Sequence, residues 1–265
     1  MTAREVADVF ESIAPPDSGV PGDELGFIYG DPEITVTGIG CVWSVDAESI
    51  QYCADHGVNL IICHERLWLP PQESPWYDAP PPDRLYARIR RGALLDAHGI
   101  TVYRSHSNWD ALPVYGIADS AVQALKIGNL QEIARRKFFT VQELPEAVPV
   151  SQLLRIVENV FGAARTRFFG DREKQIQRFA FLIGGFGENQ YHLPQVAMEL
   201  GAEAIIIGEM SEFIVLSCLE MGLPVIETLH SVSEIPGIRN QAALLAERLP
   251  DIPVEYVPSG LAARC

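Results

Sequence analysis

Basic residues are scarce in this sequence: 20 Lys and Arg stand against 35 Asp and Glu, a formal charge of −15 over 265 residues. General nucleic-acid binding needs clustered Lys and Arg to meet phosphates. Arg135-Arg136-Lys137 and Arg165-Thr166-Arg167 are too short for that and read as solvated faces. Cysteine is sparse and odd in number: Cys41, Cys53, Cys63, Cys218 and Cys265 show neither zinc-ribbon nor CxxC spacing. They read as reduced, mostly buried thiols. No apolar run is long enough to span a bilayer, and Met1-Thr2-Ala3-Arg4-Glu5 has no apolar signal core. The expectation is a cytoplasmic protein with neither membrane nor nucleic acid as partner.

What is plentiful is apolar surface: 48% of residues are hydrophobic, enough for a substantial core in one large α/β domain or two lobes. Residues 3 to 13 carry apolar positions at helical spacing, and Pro15-Pro16 stops them. Leu25 to Gly30 and Glu33 to Val42 read as strands. Pro70 to Pro82 is proline-dense and predicts an extended surface loop. A helix is expected from Ile117 to Lys126, ending at Gly128, then strands or a hairpin over Leu130 to Glu143, and an amphipathic helix over Val150 to Val160. Phe179 to Ile183 predicts a strand running into a strand-to-helix glycine turn, Gly184-Gly185-Phe186-Gly187, which fits neither GxGxxG nor the P-loop.

One unit recurs four times: a helical segment, a Gly, an apolar strand, then a polar cluster. The helices are Val45 to His56, Arg84 to His98, Leu193 to Leu200 and Phe213 to Met221; the glycines are Gly57, Gly99, Gly201 and Gly222. Strands Val58 to Cys63, Ile100 to Arg104, Ala204 to Ile207 and Pro224 to Leu229 follow. The closing clusters are His64-Glu65, Ser105 to Asp110, Gly208 to Glu212 and His230 to Glu234. A Gly after each helix supplies the left-handed exit, and buried apolar strands are the material of parallel sheets. The fold class is therefore α/β, with two related lobes of mostly parallel sheet, residues 1–128 and 129–265. Since ligands bind beyond the carboxyl ends of parallel strands, the polar clusters are expected to converge.

Taken alone, each cluster has a bland reading. Position 68 is Trp, so His64-Glu65 is no HExxH zincin. Ser105 to Asp110 could be a capped turn, and Ser233-Glu234 a helix start. His56 and His98 suit helix C-termini, and His192 a helix start. Cys63 could be a nucleophile, but a thiol in an apolar strand is more readily filler. Several clusters at equivalent strand ends argue together for a site. His64, Glu65, Asp110, His230 and Glu234 offer two imidazoles and three carboxylates, with His106 and Glu209 placed to support them from behind. That mixed N/O set suits two divalent ions, zinc, iron or manganese, able to activate water.

These same residues resemble a known family, the Nif-three-like dinuclear-metal proteins, some of which are described as type-two GTP cyclohydrolase-like. Asp55 to Trp68 resembles the family's DLIITHHPLIF, Gly99 to Ala111 its IAVYSAHTNLDA, and His230 to Glu234 its HYxTE. Ala14-Pro15, the Gly184 to Gly187 turn and Gly208-Glu209 extend the likeness over nearly the whole chain. The resemblance implies two α/β lobes, a metal pair in the cleft between them, and a homohexameric ring. It gives His64 the role of the first His of the family's pair, Asp110 that of its Asp, and His230 and Glu234 those of its C-terminal ligands. Glu65 replaces the second His, Arg66 replaces Pro, and Phe213 stands where His is frequent. The function implied is metal-dependent hydrolysis of a phosphate- or purine-containing small molecule; the alternative is a non-catalytic metal-binding or scaffold ring.

Overall fold

The computed structural model describes residues 1–68 and 80–264. The loop expected over Pro70 to Pro82 lies mostly outside the described residues. Two compact units are present: Met1–Trp109 with Ile238–Ala263, and Asp110–Gly237 with the terminal residues.

The first unit opens with α1 (Ala3–Glu11), capped by a Thr2/Glu5 box in which each side chain takes the other's backbone amide. Next come β1 (Gly26–Tyr29), β2 (Ile39–Val42), α2 (Ala47–Asp55), β3 (Leu60–Cys63), α3 (Tyr86–His98), β4 (Thr101–Arg104) and the single turn α4 (Ser107–Asp110). The strand expected from Glu33 is shorter than its alternation suggested. Only Ile39 to Val42 pairs as a strand, with Thr35 making an isolated bridge to Thr2. Gly57 and Gly99 exit their helices at φ +71° and +60°, conformations that a Cβ disfavours. β2, β3 and β4 run parallel, so their carboxyl ends share one edge, and β1 adds antiparallel beside β4. Ile50, Cys53, Ile61, Leu95 and Val102 form a core on one face of this sheet. Elsewhere in the unit, Phe10 stacks on Trp109 and meets Tyr103 edge-on, both at 5.8 Å between centroids.

The second unit contains α5 (Ile117–Ala124), β5 (Gln131–Arg136), β6 (Phe139–Pro149), α6 (Val150–Phe161), β7 (Arg167–Phe169) and β8 (Gln175–Phe186). Then follow α7 (Leu193–Glu199), β9 (Ile205–Met210), α8 (Glu212–Glu220), β10 (Val225–Glu227) and the start of α9 (His230–Arg248), whose residues from Ile238 belong to the first unit. Its sheet order is β5-β6-β8-β9-β10-β7, parallel from β8 through β10 and antiparallel outside them. α5 ends earlier than its pattern suggested, and the left-handed residues after it are Lys126 and Asn129 rather than Gly128.

The glycine run also behaves differently from a strand-to-helix turn. Gly184, Gly185 and Phe186 stay inside β8, where the register against β9 shifts between Leu182 and Gly185 and Gly184 takes φ +67°. A bulge, not a turn, is the physical use of the glycines. Likewise Gly208, Glu209 and Met210 continue β9 rather than closing it. Finally β11 (Val254–Tyr256) returns to pair parallel with β2 in the first unit's sheet. Cys41, Cys53, Cys63 and Cys218 are free and buried. Among the described residues, no helix is long and apolar enough to cross a membrane.

Candidate metal centre

In the first unit, the shared edge of the parallel strands sets the site. Cys63 lies opposite Arg104 across β3 and β4, so the next residues, His64 and Ser105, are neighbours beyond the strand ends. The His64 amide donates to the Val42 carbonyl at 3.1 Å, and its Nδ1 lies 3.1 Å from the Ser105 carbonyl oxygen. A carbonyl only accepts, so Nδ1 carries the hydrogen and the ring's lone pair is on Nε2. His64 is fully buried. Glu65 is pinned by its amide, which donates to the Trp43 carbonyl at 2.8 Å.

His106 follows β4 and is held from behind. Its Nδ1 is 2.7 Å from Asp23 Oδ2, the carboxylate–imidazole arrangement that orients a metal-binding histidine. Asp23 also accepts from Arg104 Nη1 at 2.6 Å and from the Ser107 hydroxyl at 2.7 Å. Burial alone would raise the Asp23 pKa. Hydrogen bonds from His106, Arg104 and Ser107 outweigh it and hold the carboxyl ionised well below the usual range. Each of His64, Glu65 and His106 offers a ligand atom, and the three atoms lie within 4.8 Å of one another. His106, expected behind the ligands, falls within this group of possible ligand atoms. Sequence reading missed Asp23, whose one cue was its place in an acidic, Gly-rich connection.

In the second unit, the fourth helix–strand unit ends where α9 begins, so His230 and Glu234 share one helical face. His230 Nε2 is 3.3 Å from Glu234 Oε1, and its Nδ1 is 3.0 Å from Glu209 Oε1. The hydrogen bond from His230 lowers the pKa of Glu209 against the opposing effect of its partial burial. Two carboxylates flank one imidazole, which leaves a negative balance that a proton or a metal cation can offset. The bulge of β8 makes the room. A Cβ on Gly184 would lie 2.6 Å from Glu234 Oε1 and 2.7 Å from His230 Nε2, and one on Gly185 would meet Glu209 Oε1 at 2.8 Å. The glycines thus let the β8 backbone pack directly against the three possible ligand side chains.

Asp110 is buried and lines a cavity of about 270 Å³ with Arg135, Arg136 and Lys137. The basic cluster is exposed, as a solvated face would be, and also borders this carboxylate. Glu227, buried at the end of β10, accepts from the Met210 amide at 2.8 Å and pairs with Arg167 at 2.7 Å. Burial is the main cause of its raised pKa.

Comparison with known proteins agrees with this fold. A family described as Duf34/NIF3 (NGG1p interacting factor 3) matches residues 1–261. The GTP cyclohydrolase 1 type 2 homolog of Clostridium perfringens is 26% identical over 267 residues, covering 98% of this chain and 96% of that protein. Its namesake in Methanocaldococcus jannaschii is 21% identical, covering 94% and 96%. Among solved structures, a Bacillus cereus protein related to NIF3 superposes with a TM-score of 0.82 at 15% identity, over 98% and 97% of the two chains. Reduced HcgD from M. jannaschii does so at 0.78 and 20% identity, over 98% of each. The structural neighbours share the fold, and the family match runs from the first residue through β11: this chain belongs to the Duf34/NIF3 family.

Proposed function

We propose that this chain is a divalent-metal-binding protein that hydrolyses a phosphate- or purine-containing small molecule. The carrying observation is the pair of histidine–carboxylate clusters, His64-Glu65-His106 in the first unit and His230-Glu234-Glu209 in the second. Together with Asp110, which the family resemblance adds, these clusters would hold two divalent ions. The mixed nitrogen and oxygen donors, with no thiolate among them, suit zinc, iron or manganese. When bound, such ions supply charge stabilisation and a water acidic enough to ionise near neutral pH.

The chain's own residues do the rest. The Ser105 carbonyl and Asp23 fix the rings of His64 and His106, so neither must reorganise when a ligand arrives. Glu209 holds His230 in the same way. Replacement of a family histidine by Glu65 adds one negative charge, which favours harder, oxygen-seeking ions. The names of the clostridial and archaeal relatives, GTP cyclohydrolase 1 type 2 homologs, point to the purine side of this substrate class.

Assembly with further copies belongs to the same reading and is also the core of the alternative, a scaffold ring. α8 exposes Phe213, Leu216 and Leu219 at three-residue spacing, an apolar stripe that a second copy would cover. Elemental analysis with anomalous diffraction, followed by a metal-dependent turnover screen of nucleotides and phosphoesters, tests both readings. Ions on His64 and His230 with turnover support the hydrolase, and ions without turnover support the scaffold. A protein that takes up no metal at neutral pH overturns both.

A further inference from the structure

The first unit contains a cavity of about 450 Å³ that shares Glu65 with the ligand cluster. Its walls include two indoles, Trp43 and Trp68, and three guanidinium groups, Arg66, Arg88 and Arg91. The walls are built rather than accidental. The Arg88 guanidinium carbon lies 5.0 Å from the Trp68 ring centroid, a cation–π contact, and Tyr29 meets Trp68 edge-on at 6.2 Å. Arg91 Nη1 donates to the Leu67 carbonyl at 3.0 Å, which ties α3 to the segment after β3. The Trp43 amide donates to Ser259 Oγ at 3.0 Å, while its carbonyl takes the Glu65 amide at 2.8 Å.

The protein carries a formal charge of −15, yet three arginines against one glutamate leave this cavity positive. Apolar aromatic walls with a few placed charges are the general character of small-ligand sites. Indole faces favour flat conjugated rings, and guanidinium forks favour carboxylate or phosphate.

We infer that the Trp43–Trp68–Arg88 cavity is a subsite for a flat conjugated anion, a heteroaromatic ring bearing phosphate or carboxylate, seated beside Glu65. The subsite rests on the proposed function only in its role as the substrate's recognition pocket; its chemistry is complete within the first unit. With Arg88 over one face of Trp68, a ring seated against the indole walls has its anionic group near Arg88 and Arg91, and Glu65 is the group through which the pocket adjoins the ligand cluster.

Calorimetric titration of the full chain, both as purified and after chelation, with GMP, AMP and orotate is the test. GMP against orotate separates phosphate from carboxylate, while ribose 5-phosphate lacks the ring and guanosine the charge. At least one planar anion binds, and both controls bind at least tenfold more weakly. Trp68→Ala and Arg88→Gln each weaken binding at least tenfold, whereas Trp68→Phe keeps most of it. If Trp68→Ala does not fold, Arg88→Gln, on a helix surface, decides alone. Three results overturn the subsite: no panel member binding at millimolar concentration, ribose 5-phosphate binding as tightly as GMP, or Arg88→Gln binding like the unmodified chain. Binding that persists in protein unable to hold metal supports the subsite and counts against the metal centre alone.

Discussion

Gly184→Ala, set against Gly222→Ala, separates the cost of a strained backbone from the cost of a displaced carboxylate. Gly184 sits at φ +67°, where an L side chain costs about 1–2 kcal/mol. Gly222 sits at φ +73°, and a Cβ added there would meet nothing within 4 Å, so Gly222→Ala carries the same backbone penalty and no collision. At Gly184 the new methyl would stand 2.6 Å from Glu234 Oε1, against an ordinary contact of 3.4 Å or more. The carboxylate must then retreat by roughly 0.8 Å, beyond the roughly 0.5 Å within which a binding constellation works. Both variants should lose stability, with melting lowered by about 2–4 °C for each kcal/mol in a chain of this size. Calorimetric titration with manganese and with zinc should show Gly222→Ala unchanged and Gly184→Ala weakened about 10–100-fold, the usual range for a misoriented ligand. Equal metal affinity in the two variants would refute the reading that the Gly184 bulge makes room for Glu234 and His230 to act as ligands.

Glu65→Gln removes a charge while keeping shape, and should weaken one of two metal positions; unchanged stoichiometry and affinity by elemental analysis and titration would remove Glu65 from the ligand set. Glu203 accepts the amides of Gln177 at 2.7 Å and Arg178 at 2.9 Å. Burial opposes its ionisation, but those amides and the Arg178 side chain prevail and lower its pKa. Its folded pKa lies below the unfolded one, so its stabilisation is present above the unfolded pKa near 4.3 and is lost as pH falls through the folded value. Glu203→Gln should accordingly destabilise by about 1–2 kcal/mol at pH 7 and flatten the acid limb of a denaturation series. A loss that is the same at pH 3 and pH 7 would contradict this. Burial pushes the thiols of Cys53 and Cys63 up to about 12 and that of Cys218 up to about 11. Iodoacetamide at pH 8 should leave these three untouched until denaturant is added, as read by intact mass; rapid native alkylation at any of them would contradict the buried reading.

Much of the fold was legible because its signals are local. Each recurring unit announces itself by a glycine in the left-handed exit and an apolar run within the next few residues, and Gly57 and Gly99 take that conformation. His230 and Glu234 were legible for the same reason, four residues apart on one helix. What escaped depends on distant pairing. Asp23 reaches His106 across 83 residues, so nothing near it in the sequence marks it. The bulge in β8 reads as a turn because glycines serve both, and only the ladder to β9 distinguishes them. Arg135-Arg136-Lys137 is the exposed charge its composition suggested, but its place beside Asp110 depends on the hairpin of β5 and β6.

The return of β11 to β2 has a consequence for the order in which the chain acquires structure. Residues 110–237 are contiguous, and every strand of their sheet has been made before β11 emerges from the ribosome. The first unit, begun earlier, stays a four-stranded sheet with β2 as an open parallel edge until residues 254–256 arrive. An exposed edge of that kind invites pairing with other chains. Premature termination after α9 but before residue 254 would thus spare the later unit and leave the earlier one unsealed, so that nonsense products should aggregate through β2.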